Sequence, residues 1–520
     1  MKNKYLIAAT LSICAATAFA QNELPGLGEY MYDDGIQLWL HTESAAGLTL
    51  DSTRNRGYSA FDINHHAGDY HRVQEGRQTN TLNFYSERYQ HVGKYLYGYG
   101  SFHFDNGRTK DRAWSDVMRT YFSNPFISGS SVYGSYDFQN FDFVASVGTV
   151  DFGGWRYGLK LDYRVGDLSR LRDPRSRSRM LDYQLTPSVN KTFGRSTIGL
   201  SAWYHRYKEK IPGLITVQDD PNLMYYLMSG MEAVTGTIGG YKGYSREYVN
   251  HEFGGELQWA WQSERYRTVN SVSLAKGTEY MYEQYEREAG RYYTYNYQFQ
   301  SRHRVIADNR IHQFDLTLGA QQAYADEYRP QLVVTLDSKT GYSSYRYDNL
   351  FTYRKRYQLE QMTADLSYRL NFTEGAAVCR YALLQGSMTD IAQKHLLPTS
   401  TFDLCTFRLN AEYGQAFFSN RHLWVMLNAG YLNSNQADLK LADGVGTYAQ
   451  EVLIPDQTYY DSNCLMGGVS LLYQHPITFK GYRFIGFIKG YWQTWQADHS
   501  LDANTFGISF GLFNKVLRIL

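Results

Sequence analysis

Residues 155–165 read Trp155-Arg156-Tyr157-Gly158-Leu159-Lys160-Leu161-Asp162-Tyr163-Arg164-Val165. The odd positions are all apolar or aromatic, and the even ones carry a charge or, at Gly158, no side chain. Successive side chains of a strand point to opposite faces, so the stretch predicts a strand with one greasy and one wet face. The pattern recurs further along. Met362, Ala364, Leu366, Tyr368 and Leu370 alternate with Thr363, Asp365, Ser367 and Arg369. Phe253, Leu257, Trp259 and Trp261 oppose Glu252, Glu256, Gln258 and Gln262, and Phe314, Leu316 and Leu318 oppose Gln313, Asp315 and Thr317.

These alternating runs extend over about nine to eleven residues, the length of a tilted membrane crossing, where a soluble strand has ~5–6. A large soluble sandwich with one wet face per sheet is the competing architecture. A bilayer supplies no partner for open strand edges, so spanning strands must close on themselves. The expected fold is therefore all-β, a single antiparallel transmembrane barrel of about 14–18 strands with long external loops. Asp105-Asn106-Gly107 and Lys191-Thr192-Phe193-Gly194-Arg195 have the composition of hairpin turns. Gly153-Gly154 and Gly254-Gly255 are expected within strands, away from any phosphate-cradling turn. No internal repeat stands out, which disfavours a propeller.

The amino terminus fits export. Lys2 and Lys4 precede an uncharged apolar stretch, and Ala18-Phe19-Ala20 offers a cleavage site between Ala20 and Gln21. Cys14 raises a lipoprotein alternative, but Ile13 stands where lipidation needs a small residue. The expected organisation is a signal peptide at 1–20, a periplasmic or lumenal segment at 21–57, and the barrel at 58–520. Cleavage removes Lys2 and Lys4 and takes the net charge from +1 to −1, with no basic stripe for nucleic acid. Aromatics make up 16% of the chain and include 48 tyrosines, yet beyond the leader no apolar run approaches the ~20 residues of a spanning helix. Cys379, Cys405 and Cys464 remain after cleavage. Three cysteines make no disulfide framework, though Cys379 and Cys405 are candidates for neighbouring strands.

If the apolar faces meet lipid, Arg156, Lys160, Asp162, Arg164, Glu256, Asp315, Asp365 and Arg369 face the lumen. Mixed charge there lines a water-filled path or locks a closed interior, without marked ion preference. Trp155, Trp203, Trp261, Trp492 and Trp495 are candidates for the aromatic girdle at headgroup level. In the long connection 208–250, Leu223, Met224, Tyr225 and Tyr226 begin an apolar patch. It is read as a short helix lining the pore, a contact surface, or a loop packed on its own wall. Region 277–304, rich in Tyr, Glu and Arg, suits tall strands or a contact surface, and 433–462 is a third external loop. His65-His66 and His71 lie near Asp62 and Asp69, but adjacent strand residues face opposite ways and do not converge on a metal. No Gly-x-Ser-x-Gly elbow is present. The residues imply no cofactor, and an outer-membrane enzyme, whose Ser-His-Asp or Asn set would converge only in space, is the least favoured reading.

Several short motifs, taken in order, resemble an uncharacterised outer-membrane β-barrel family of Bacteroidota, one of the domain-of-unknown-function families. Glu43-Ser44-Ala45-Ala46-Gly47-Leu48 is similar to its Asn-Ala-Ala-Gly-Leu box, with Glu43-Ser44 departing from the usual small or amide residues. Asp69-Tyr70-His71-Arg72-Val73-Gln74-Glu75-Gly76 resembles its His-Arg-Pro-Gln-Glu-Gly stretch, with Val73 in place of proline. Asn124-Pro125-Phe126, Arg172-Asp173-Pro174-Arg175, Ile198-Gly199-Leu200-Ser201 and Tyr204-His205-Arg206-Tyr207-Lys208-Glu209 continue the likeness. Phe510 or Phe513 is expected to supply the closing-strand signal. The resemblance implies an outer-membrane barrel, an uptake role and no known reaction. The expected partners are outer-membrane lipid, an unknown small solute and a surface receptor. The expected function is a pore or uptake component, the alternative a non-conducting interaction barrel.

Overall fold

In the computed structural model the alternation at 155–165 becomes the strand Trp155–Arg170, paired antiparallel with Gly134–Thr149 on one side and Arg175–Phe193 on the other. Neighbour-to-neighbour pairing continues through 18 long strands. The first, Arg56–Gly68, closes on the last, Asp502–Lys515, with Phe61 opposite Phe510 and Tyr58 opposite Phe513. The structure describes residues 26–51, 55–217, 223–238, 244–336, 338–418, 421–479 and 482–515. The leader and its cleavage site at Ala20 and Gln21 lie outside the described residues, as does 218–222.

Closure explains the inverted polarity of this protein. Tyr157, Leu159, Ile198, Leu200, Phe253, Leu257, Leu366 and Ile508 all stand exposed on the outer wall. The polar residues between them turn inward. An apolar outside around a polar inside is stable only with lipid around it.

Hairpins at one end turn within a few residues, as at Gly194 and Gly375, both with positive φ. Connections at the other end are longer, at 69–77, 113–133, 212–245 and 441–463. Short turns mark the periplasmic end and long connections the outer one. Arg310–Leu336 and Ser343–Glu374, at 27 and 32 residues, project beyond the ~9–11 residues of a crossing.

Two local expectations are corrected. Asp105-Asn106-Gly107 is no hairpin but the middle of the strand Leu96–Arg112, where Gly107 pairs with Thr81 and Phe138. A Cβ at Gly107 would lie 2.4 Å from the Phe138 ring, so that glycine makes room for an aromatic rather than a turn. Gly153 and Gly154 form a turn with φ of 64° and 86°, whereas Gly254 and Gly255 do lie in a strand. Cys379 and Cys405 do lie on neighbouring strands, but both are free: Cys405 stands opposite Asp390, well along the strand from Cys379.

Described parts of the long connections fold back into the barrel. Ser128–Gly129, Met224–Met228 and Val234–Ile238 form a small sheet against the inner wall. The helix Ile454–Asp461 packs beside the strand Leu423–Lys440. At the periplasmic end the helix Leu27–Ile36 and two short turns, Trp39–His41 and Ala45–Gly47, lie inside the barrel against its wall.

Candidate functional site

The interior has three levels: a lid of outer connections, a wet middle, and the N-terminal segment below. In the lid, Trp114 is fully buried and joins the connections. Its ring meets Tyr226 at 4.4 Å and Tyr448 at 5.2 Å, its indole N–H donates to Glu451 at 3.0 Å, and its carbonyl accepts from Gln74 at 3.0 Å. Val73, Val117, Phe126, Ile127, Met228 and Val452 extend this core onto wall residues such as Tyr248, Met281 and Leu359. Polar anchors hold it. Arg119 lies over the Tyr207 ring at 3.5 Å and pairs with Glu279, which also accepts from Asn124 at 2.6 Å. Asp456 accepts the Val73 N–H at 2.8 Å, and burial pushes its carboxyl up to about 7 against that bond and Arg72.

The N-terminal segment is organised differently. The Asp51 carboxylate accepts the backbone N–H groups of Leu38, Trp39 and Leu40 at 2.9, 3.1 and 2.8 Å, folding the segment back on itself. Arg56 donates to the Tyr30 carbonyl and the Gln37 side chain. The Asn190 amide donates to Ser44 Oγ at 2.9 Å and accepts from the Gly47 N–H at 3.1 Å, and the Ala46 N–H donates to Ser188 at 3.0 Å. The wall is cut back to receive it: a Cβ at Gly148 would lie 2.3 Å from the Ala45 carbonyl, and one at Gly158 would lie 2.1 Å from the Ala46 nitrogen. Such glycines admit close backbone approach. Apolar contact falls into three separate clusters: Leu27, Tyr30, Met31 and Tyr32 of the helix against a core that includes Val378, Tyr381, Trp424, Leu472, Phe487 and Phe513; Trp39 against Ala260 and Val269; Ala45 and Leu48 against Tyr89.

Between these layers lies a mid-depth cavity of about 340 Å³, lined by Glu43, Gln184, Trp203, Glu252, Glu256 and Gln361 among others. A second, of about 330 Å³, is lined by His66, His71, Arg408, Tyr459 and Trp495.

The alternation places the charged candidates on the inner face. Arg156 pairs with Asp151 at 2.9 Å, Arg164 with Asp142 at 2.6 Å, and Asp315 with Arg304 at 2.6 Å. Lys160 meets Asp162 at 3.3 Å and Glu43 of the N-terminal segment at 3.2 Å. Buried Glu256 accepts from Gln258, Arg369 lies 4.2 Å over Tyr381, and Asp365 is exposed to the lumen. They line a long wall; only Lys160, Asp162 and Glu256 gather around Glu43, at the base of the cavity.

The aromatic candidates divide. Trp155, Trp261 and Trp492 lie on the outer face, Trp155 beside a periplasmic turn and Trp261 in contact with Tyr266 across another. Trp203 and Trp495 instead line interior cavities, which corrects their assignment to the girdle. Parity decides both: Trp203 is out of step with Ile198 and Leu200, and Trp495 is three residues from outward-facing Trp492. Leu223, Met224, Tyr225 and Tyr226 neither form a helix nor line the pore. Leu223 leads into the strand Met224–Met228, in which Tyr225 is buried within the lid. Sequence reasoning missed Gln184, Glu252, Asn296, Gln321 and Gln361, which only strand register brings together.

Matches to solved structures are distant. The copper transporter OprC matches at 10% identity over 88% of this chain and 81% of its own, TM-score 0.38. The alcaligin outer membrane receptor FauA from Bordetella pertussis matches at 8% over 87% and 75%, TM-score 0.39. OccAB3 from Acinetobacter baumannii matches at 8% over 88% and 99%, TM-score 0.37. No curated protein sequence matches. The model of DUF6850, a family of unknown function, matches residues 45–514, and the chain belongs to that family.

Proposed function

We propose that this protein is an outer-membrane uptake barrel of Bacteroidota, closed at rest, which passes a small solute when the N-terminal segment shifts. The transport involves no chemical conversion. The observation that carries this reading is the seating of residues 26–51. They lie inside the barrel against its wall, held by hydrogen bonds, ion pairs and three separate apolar clusters, beside a wet cavity. A structural strut would be bound by a continuous core; a movable stopper needs contacts that open locally.

The test compares the mature chain with a variant lacking residues 26–51, both refolded and inserted in a planar bilayer. The full chain is expected to stay closed or flicker, and the deletion to give steady openings abolished by boiling. A deletion variant that refolds to a heat-modifiable barrel yet never conducts would overturn the reading. It would favour an interaction barrel that partners a surface receptor, because the lid would then be the permanent seal.

A further inference from the structure

The mid-depth cavity has a more specific chemistry than a wet pore wall requires. Trp203 and Gly254 stand opposite each other on adjacent strands, and a Cβ at Gly254 would sit 2.2 Å from two atoms of the indole ring. Glycine therefore lets the indole lie back over the neighbouring strand while it lines the cavity. Around this platform stand the amides of Gln184, Asn296, Gln298, Gln321 and Gln361. Gln184 donates to Glu43 and Thr186, Asn296 donates to Glu252 and accepts from Gln321, and Gln298 accepts from Gln300, which leaves the Gln184 and Gln321 oxygens, the Gln298 NH2 group and the Gln361 amide for a ligand. The cavity's carboxylates already have partners. Glu43 pairs with Lys160 at 3.2 Å and accepts from Gln184 at 3.1 Å. Glu252 accepts from Asn296 at 3.0 Å and lies 3.6 Å from His205, and Glu256 accepts from Gln258.

Lys160 and His205 thus offset part of the carboxylate charge of the site. The site offers a flat apolar surface within a ring of mixed donors and acceptors. That combination matches an uncharged polyhydroxylated ring, whose C–H face lies on the indole while its hydroxyls meet the amides. The volume, about 340 Å³, is at the small end of ligand pockets and suits one or two such rings.

We propose that the cavity beside Trp203 binds a neutral carbohydrate of one or two sugar rings. Glu43, at its base, belongs to the N-terminal segment, so an occupied site touches the stopper directly; this second point rests on the uptake reading.

The experiment titrates the refolded full mature chain with maltose, cellobiose, lactose and sucrose, and with spermidine as a cation. Tryptophan fluorescence and calorimetry report binding. Saturable binding of at least one disaccharide is expected, weakened tenfold or more by Trp203→Ala and several-fold by Gln361→Ala. Trp492→Phe, on the lipid face, should leave the affinity unchanged. Heat-modifiability shows which variants are folded, and Gln361→Ala decides if Trp203→Ala does not refold. Saturation by none of the four sugars, by spermidine alone, or with an affinity indifferent to both cavity substitutions would overturn the proposal. Sugar binding without conductance in the deleted barrel would keep the site and remove the uptake reading. Conductance without sugar binding would do the reverse.

Discussion

At the outer end, buried Trp114, Phe126, Ile127, Met228 and Val452 belong to one continuous apolar core that ties several connections to the wall. At the periplasmic end, residues 26–51 reach the wall through three separate clusters, one of some size under the helix and two small, and their other contacts are hydrogen bonds and ion pairs such as Lys160 with Glu43. A continuous core opens only by exposing most of its area at once, whereas separate clusters open one at a time. The two closures of this lumen thus differ in cooperativity, and the periplasmic one is the easier to move.

The strongest way to break this contrast is Trp114→Ala. Removing a fully buried indole costs about 3–5 kcal/mol, and here it also orphans Glu451. The lid should become protease-sensitive while the barrel stays heat-modifiable; an unchanged digestion pattern would mean that the lid is not one cooperative unit.

A smaller effect is expected of pH on the same lid. Asp456 ionises near 3.8 when free and near 7 when folded, so the closed lid holds a proton that the open form has lost. Its contribution is full below about 4 and is lost as pH rises to about 7. Glu75, Arg72, Tyr121 and Tyr460 face it and stay in place, so Asp456→Asn should flatten this dependence. Equal lid proteolysis at pH 5 and pH 8 in the parent protein would exclude the linkage.

At the periplasmic end, Gly158→Val should unseat residues 45–47, because its Cβ alone would fall 2.1 Å from the Ala46 nitrogen. Overpacking costs about 1–3 kcal/mol. The expected readout is more frequent channel opening with the lid intact. Glu43→Gln should give the smallest change, about 1 kcal/mol or less, because the ion pair it weakens is partly exposed. If Glu43→Gln opened the channel more than Gly158→Val did, the segment would be held by charge rather than by fit.

The barrel was legible in the sequence because alternation has a period of two whatever the neighbours are. It placed Arg156, Lys160 and Asp315 inward and Leu159, Leu257 and Leu366 outward. The same rule applied to Trp203 and Trp495 would have turned both inward; composition, which favours tryptophan at interfaces, pointed the other way. The Asn106-Gly107 pair suggested a turn because the dipeptide is the same whether glycine permits a bend or admits the Phe138 ring. The direction taken by the long connections was not legible, since Met224, Tyr225 and Tyr226 suit a buried lid as well as an exposed patch.

The sequence by itself determined that these strands are amphipathic, long and closed in lipid, because face and length follow from the order of residues along one strand. Tertiary structure alone decided what occupies the lumen. Glu43 meets Lys160, Trp203 meets Gly254, and Gln184 lines the same cavity, only through the stagger of neighbouring strands and the inward path of residues 26–51. Those are relations between segments far apart in the chain, set by register and closure, and no local pattern carries them.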